Sequence, residues 1–160
     1  MLIEEIQYKH LKSIAHLVSN HYKLTFEKAY QKILSEYFKI QKDSKSLMIF
    51  CASINDKLIA YARILYHNQQ KYEPSGWYLM GVIVEQNYQR QGIALALTKK
   101  RIQWVKKPVY CFINSNNLAS IKLHQKLGFQ LIDNDFNFPD VTFNDNGHGQ
   151  LYIMNDTSIL

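Results

Sequence analysis

The stretch WYLMGVIVEQNYQRQGIALALTKK, Trp77–Lys100, changes character twice. Its first eight residues are apolar and β-prone, as a buried strand requires. After a polar and basic turn, Ile93, Leu95, Ala96, Leu97, Ile102 and Val105 recur at the spacing of a helix that faces a core. The pattern predicts a strand-to-helix junction with one glycine, Gly92, at the turn. Glycine there lets the backbone come close to another group. The first turn of the helix leaves N–H groups without intrahelical partners, so the junction can hold an anion, and phosphate is the usual one.

Downstream, Pro108 marks a break and VYCFIN reads as a short buried strand. Asn117 is placed to cap a helix carrying Ile121, Leu123 and Leu127 on one face, and Gly128 to stop it. FQLID and QLYIM read as strands around the turn-rich segment NDFNFPDVTFNDNGHG. Upstream, MLIEEIQ alternates weakly as an opening strand. A helix is predicted from His10 to Tyr22 and a second, capped by Thr25, to about Lys39. LMIFCASI and KLIAYARILY flank the turn-prone pair Asn55-Asp56 and read as a hairpin. The loop HNQQKYEPSG leads back to Trp77.

A strand–helix–strand–helix centre implies parallel strands joined by a crossover, and the hairpins are antiparallel. The sheet is therefore mixed and the fold class α/β or α+β. There is no internal repeat, and 160 residues with 47% hydrophobic content suit one domain, residues 1–160.

A net charge of +6 suits an anionic partner without identifying one. The basic run TKKRIQWVKK reads as a solvated helix face before it reads as a nucleic-acid surface, so nucleic acid is not the expected partner. Cys51 and Cys111 lie in apolar, strand-like surroundings and are expected to be buried free thiols. No CxxC or HExxH occurs, the other histidines (His10, His16, His21, His67, His148) show no ligand spacing, and no metal is expected. The first residues lack the features of a secretory signal. No run approaches the roughly 20 apolar residues of a membrane span. The chain is expected to be soluble and cytoplasmic, with no membrane partner, and a homodimer is left open as its assembly.

A single-glycine junction is weak evidence alone, being neither GxxxxGK[ST] nor GxGxxG. A second motif, NSNNLASIKLHQKLGF, Asn114–Phe129, follows the next strand. With QRQGIA it resembles the GCN5-related N-acetyltransferase (GNAT) superfamily. In that pattern Gln89, Gly92 and Ala94 fall on Q/R-x-x-G-x-G/A, and Asn117, Ser120, His124, Lys126, Gly128 and Phe129 fall on the downstream motif. The resemblance covers residues 77–132 closely and implies the GNAT fold: a twisted mixed sheet of about seven strands, about four helices, and a splayed parallel pair at the centre.

It further implies acetyl-CoA as cosubstrate. Main-chain N–H groups of Arg90, Gln91, Gly92, Ile93, Ala94 and Leu95 would take the pyrophosphate at the positive end of the helix dipole, with the Arg90 guanidinium beside it. The backbone of Val82 and Val84 would pair with the pantetheine amides like an added strand. Asn117 would both cap its helix and offer an amide to the coenzyme. Lys126 could reach the 3′-phosphate, although a solvated helix lysine explains it as well.

Three positions depart from the family. Gln86 replaces a common proline. Tyr78 stands where histone-type members carry a glutamate base, and a phenol is a poor base at neutral pH. His124 stands where most members have a tyrosine, and is expected to be the general acid for the departing thiolate, or else to fill the helix–sheet interface. Glu85 is the carboxylate nearest the site in sequence.

The expected activity is acetyl-CoA-dependent N-acetyltransfer to a primary amine of a small molecule or peptide, by direct attack on the thioester. The alternatives are an aminoglycoside-type acetyltransferase, for which Glu27, Glu36, Glu73, Asp133, Asp135 and Asp140 could supply an acidic acceptor patch, and a non-enzymatic acetyl-CoA-binding regulator. Tyr22, Phe26, Tyr30, Phe136 and Phe138 are candidate acceptor-site walls.

Overall fold

The computed structural model describes residues 1–106, 108–144 and 146–158. Seven strands and four α-helices appear among them: β1 Leu2–Glu5, α1 Leu11–Tyr22, α2 Phe26–Lys42, β2 Leu47–Ile54, β3 Lys57–His67, β4 Gly76–Val84, α3 Ile93–Val105, β5 Val109–Asn114, α4 Leu118–Lys126, β6 Gln130–Phe136 and β7 Gly149–Met154. The strands run in the order β1-β2-β3-β4-β5-β7-β6 in one mixed sheet. This is the α/β architecture expected, parallel where β4 meets β5 and antiparallel in the hairpins.

The chain divides into two compact units, Met1–Leu65 with Met80–Arg101, and Tyr66–Leu79 with Ile102–Leu160. In the first, β1 and β3 flank β2 in antiparallel register. The β2–β3 turn is made by Asn55 and Asp56 at φ 49° and 61°, which is why an Asn-Asp pair sits there. All residues from Leu47 to Ala52 are buried, the mark of a strand covered on both faces. Helix α1 buries Leu11, Ile14, Ala15 and Val18, and α2 buries Ala29, Ile33 and Ile40, each an i, i+3/i+4 stripe. Thr25 caps α2 by accepting the Lys28 N–H at 3.3 Å. The helix runs on to Lys42, three residues past the expected end near Lys39.

In the second unit β5 lies parallel to the start of β4, with Trp77 opposite Val109 and Tyr78 opposite Tyr110. Its other edge pairs with β7, from Val109 opposite Met154 to Asn114 opposite Gly149. Strand β6 forms the outer edge. It runs past the predicted Asp133 to Phe136 through two register shifts, so its alternation is broken and its sequence reads as turn. A β-carbon at Gly149 would run into the Phe136 carbonyl and the Phe143 ring, so only glycine lets β7 approach β6 there. Tyr78, Phe112 and Phe138 form an aromatic core, with Phe112 stacked on Phe138 at 4.6 Å.

Cys51 and Cys111 are free and buried. Burial pushes the Cys51 thiol up to about 12, which leaves it inert. No helix among the described residues is long and apolar enough to cross a membrane.

Candidate active site

The first unit contains the junction itself. Strand β4 ends at Val84, a single 3-10 turn spans Gln86–Tyr88, and the chain reaches Arg90 with φ 62° and Gly92 with φ 79°. The first bond of α3 runs from the Ala96 N–H to the Gly92 carbonyl at 3.0 Å, so the N–H groups of Ile93, Ala94 and Leu95 precede the intrahelical ladder. A β-carbon at Gly92 would meet no protein atom within 4 Å. Packing therefore does not demand glycine here, but the left-handed backbone favours it. Gln89 and Gln91, both exposed, fold back on the loop, their amides donating to the Val84 and Asn87 carbonyls at 3.1 and 3.2 Å. They brace the loop, and the exposed Arg90 is its cation.

Before this loop, β4 passes through Gly81, exposed in mid-strand, while Val82 and Val84 are half-buried. A glycine inside a strand weakens it and marks a bulge or a close approach. The hydroxyl of Tyr22, one of the proposed wall residues, lies 3.7 Å from where a Gly81 β-carbon would be. Phe26 instead stacks on Tyr30 and packs at a tilt against His16. Glu85 faces Lys57 at 2.7 Å, so the nearest carboxylate in sequence is committed to a surface ion pair. Glu36 is held by Arg63 at 2.6 Å.

The second unit holds Asn117, His124 and Lys126. Asn117 caps α4, its Oδ1 accepting the Ser120 N–H at 3.1 Å. The other end of α4 closes with the Gly128 N–H bonded to the Gln125 carbonyl and the Phe129 N–H to the His124 carbonyl, both at 3.0 Å, and with Gly128 at φ 97°. That is a Schellman motif, and its usual apolar contact is the edge-on packing of the His124 ring on Phe129 at 5.2 Å. The K-x-G-F part of the motif is thus a helix stop in physical terms. His124 Nδ1 lies 2.8 Å from the Ser120 carbonyl, an acceptor, so Nδ1 is the nitrogen that donates there. Lys126 is exposed in the last turn.

Tyr78 is fully buried and donates to the Pro74 carbonyl at 2.8 Å. Burial raises its phenol well above the ordinary value, which makes it a still poorer base. Beside it lies a pair that sequence reading passed over. His67 Nε2 sits 2.7 Å from the buried Glu73 carboxylate, which also accepts the N–H groups of Gln70, Lys71 and Tyr72 at 2.6, 3.2 and 3.1 Å. The His67 hydrogen bond and those main-chain donors hold Glu73 down to about 2 against the opposing effect of burial. A pocket of about 400 Å³ opens between Lys71–Glu73 and Phe136–Asp140, with Asp133 and Asp135 on its rim. It brings together four of the six expected acidic residues and two of the expected aromatics; Glu27 and Glu36 are not among its lining.

Residues 15–129 match the Acetyltransferase (GNAT) family. The chain belongs to that family. It is an acyltransferase, and solved structures of GNAT enzymes share its fold over nearly its whole length. The ribosomal-protein-alanine N-acetyltransferase of Brucella melitensis superposes with a TM-score of 0.75 at 16% identity, covering 97% of this chain and 99% of that one. The yncA protein of Salmonella typhimurium, solved with its cofactor acetyl-CoA, gives 0.74 at 16% identity over 96% and 92%. An aminoglycoside 6′-N-acetyltransferase complexed with coenzyme A gives 0.69 at 10% identity over 97% of each. No curated protein sequence matches the chain.

Proposed function

We propose that the chain, working as one N-acetyltransferase domain, moves the acetyl group of acetyl-CoA onto a primary amine of a small molecule or peptide. The observation that carries this reading is the Gly92 junction, an exposed left-handed turn that contains Arg90 and opens a helix. Those features fit a pyrophosphate, which needs converging N–H donors, a positive field and room for close approach.

Bound acetyl-CoA supplies the activated acyl group. The N–H groups from Arg90 to Leu95 would receive its pyrophosphate, and the Val82 and Val84 backbone its pantetheine amides. The Val82 N–H would donate to the thioester oxygen as charge develops there. The roles of Asn117, Lys126 and His124 rest on the family pattern: a coenzyme amide contact, a 3′-phosphate contact and proton donation from Nε2 to the departing thiolate. Glu85 is ion-paired and Tyr78 is buried against a carbonyl, so the amine proton leaves to water.

A second reading, acetylation of an aminoglycoside-like polycation, is favoured by the pocket of Asp133, Asp135, Asp140 and the Phe136 and Phe138 rings. Aminoglycosides, polyamines, free amino acids and peptides with free N-termini, each assayed for thiol release from acetyl-CoA, separate the two. Turnover confined to peptides would remove the polycation reading, and turnover confined to aminoglycosides would establish it. Thermal stabilisation by acetyl-CoA without thiol release from any amine would favour the regulator instead.

A further inference from the structure

Arg101 is 1% exposed, at the third turn of the helix that begins at the Gly92 junction. Burying a guanidinium is costly unless its donors are met, and the partners it takes are unusual. One nitrogen, Nη1, donates to two main-chain carbonyls on neighbouring strands, Arg63 of β3 at 2.7 Å and Met80 of β4 at 2.9 Å. Nη2 donates to Thr98 Oγ1 at 3.0 Å, and Nε to the Leu97 carbonyl at 3.3 Å. Thr98 is itself anchored to the Ala94 carbonyl at 2.8 Å. The guanidinium is thereby held on α3 and clamps the backbone of β4 one residue before Gly81 and two before Val82.

Gly81 weakens the strand at that step, because glycine has the widest backbone freedom and no side chain to pack. A donor group needs fixed aim to act on a developing charge. A clamp on the Met80 carbonyl orients the peptide planes that follow it. It is borne by the helix whose N-terminus would hold the pyrophosphate, about 12 Å away along the helix axis for eight residues.

We propose that Arg101 is a positioning residue for acetyl transfer, fixing the Met80–Gly81–Val82 backbone so that its N–H is aimed at the thioester oxygen. This rests on the reading of that backbone as the oxyanion donor. The probe is acetyl-CoA carrying ¹³C at the thioester carbonyl, whose resonance moves downfield when the oxygen receives a hydrogen bond. The natural chain should show that shift on binding. Arg101→Gln should lose at least half of it, Arg101→Lys should keep more, and coenzyme A lacking the acetyl group should still raise the melting temperature of all three. If Arg101→Gln does not fold, Thr98→Val, which frees one arm of the clamp without removing charge, should cut the shift to a smaller extent. An unaltered carbonyl shift in folded Arg101→Gln, or in Thr98→Val where the former does not fold, overturns the role of Arg101. A natural chain that binds acetyl-CoA with no carbonyl shift removes the oxyanion reading itself, and a chain that binds no coenzyme removes the acetyltransferase reading beneath both.

Discussion

His124 has a structural task in its ring and, on the proposed function, a chemical one. It supplies the ring contact to Phe129 that closes α4, and its Nδ1 is tied to the Ser120 carbonyl, which leaves Nε2 as the nitrogen proposed to give the proton. Replacement by phenylalanine keeps the contact and removes the proton. His124→Phe should therefore melt near the natural temperature and bind acetyl-CoA, while kcat falls about a hundredfold. His124→Tyr should recover much of the rate. Near-normal turnover in the phenylalanine variant would assign the ring to packing alone. Arg101 shows why some residues stay illegible in sequence. In TKKRIQWVKK it is one more cation on a helix, and Lys99 and Lys100 beside it are indeed exposed. Its burial is decided by carbonyls 38 and 21 residues away, which no helical period reports. Gly92 and Asn117 were legible because their tasks, a strand-to-helix junction and a helix cap, are local; the left-handed backbone of Gly92 is seen only in the structure.

At the scale of elements, α4 is fixed at both ends by short-range bonds and presents no fully buried residue of its own. Its caps therefore carry much of its definition. Asn117→Ala should cost about 1 kcal/mol by chemical denaturation, and Asn117→Asp should restore most of it; an alanine variant of unchanged stability would show that packing holds the helix without its cap. The β3–β4 connection behaves differently, being organised around Glu73. The unfolded chain protonates this carboxyl near its ordinary 4.5, whereas the folded one holds it ionised down to about 2. Between those values the unfolded state binds more protons, so stability is complete above about 4.5 and is lost as pH falls toward 2. Thermal melts on either side of pH 4.5 should show a drop that shrinks in Glu73→Gln, and an equal drop in both would place the acid sensitivity elsewhere. The connection reads in sequence as a polar loop. Its order comes from a carboxylate gathering main-chain N–H groups, and such a centre has no period.

For the molecule as a whole, the strand–turn–helix in the middle of the chain predicts the parallel centre, and the hairpins around it the antiparallel flanks. The place of β7 between β5 and β6 is a matter of long-range pairing and could not be read from local pattern. The candidate residues divide in the same way: the Gly92 turn is written in one continuous stretch, whereas the acidic pocket is lined by two segments distant in sequence, Lys71–Glu73 and Asp133–Asp140. We propose that the Gly92 junction binds coenzyme A. The measurement that tests it most directly is the melting temperature against acetyl-CoA concentration, for the natural chain and for Gly92→Val. A ligand bound only by the folded state stabilises it by mass action, about 2.7 kcal/mol at a hundredfold excess over Kd. The natural chain should therefore melt progressively higher. The valine variant should start lower, because a β-branched residue is strained at a φ of 79°, and should lose the ligand-dependent rise. No rise in the natural chain at millimolar acetyl-CoA, or a full rise in the valine variant, would contradict the account.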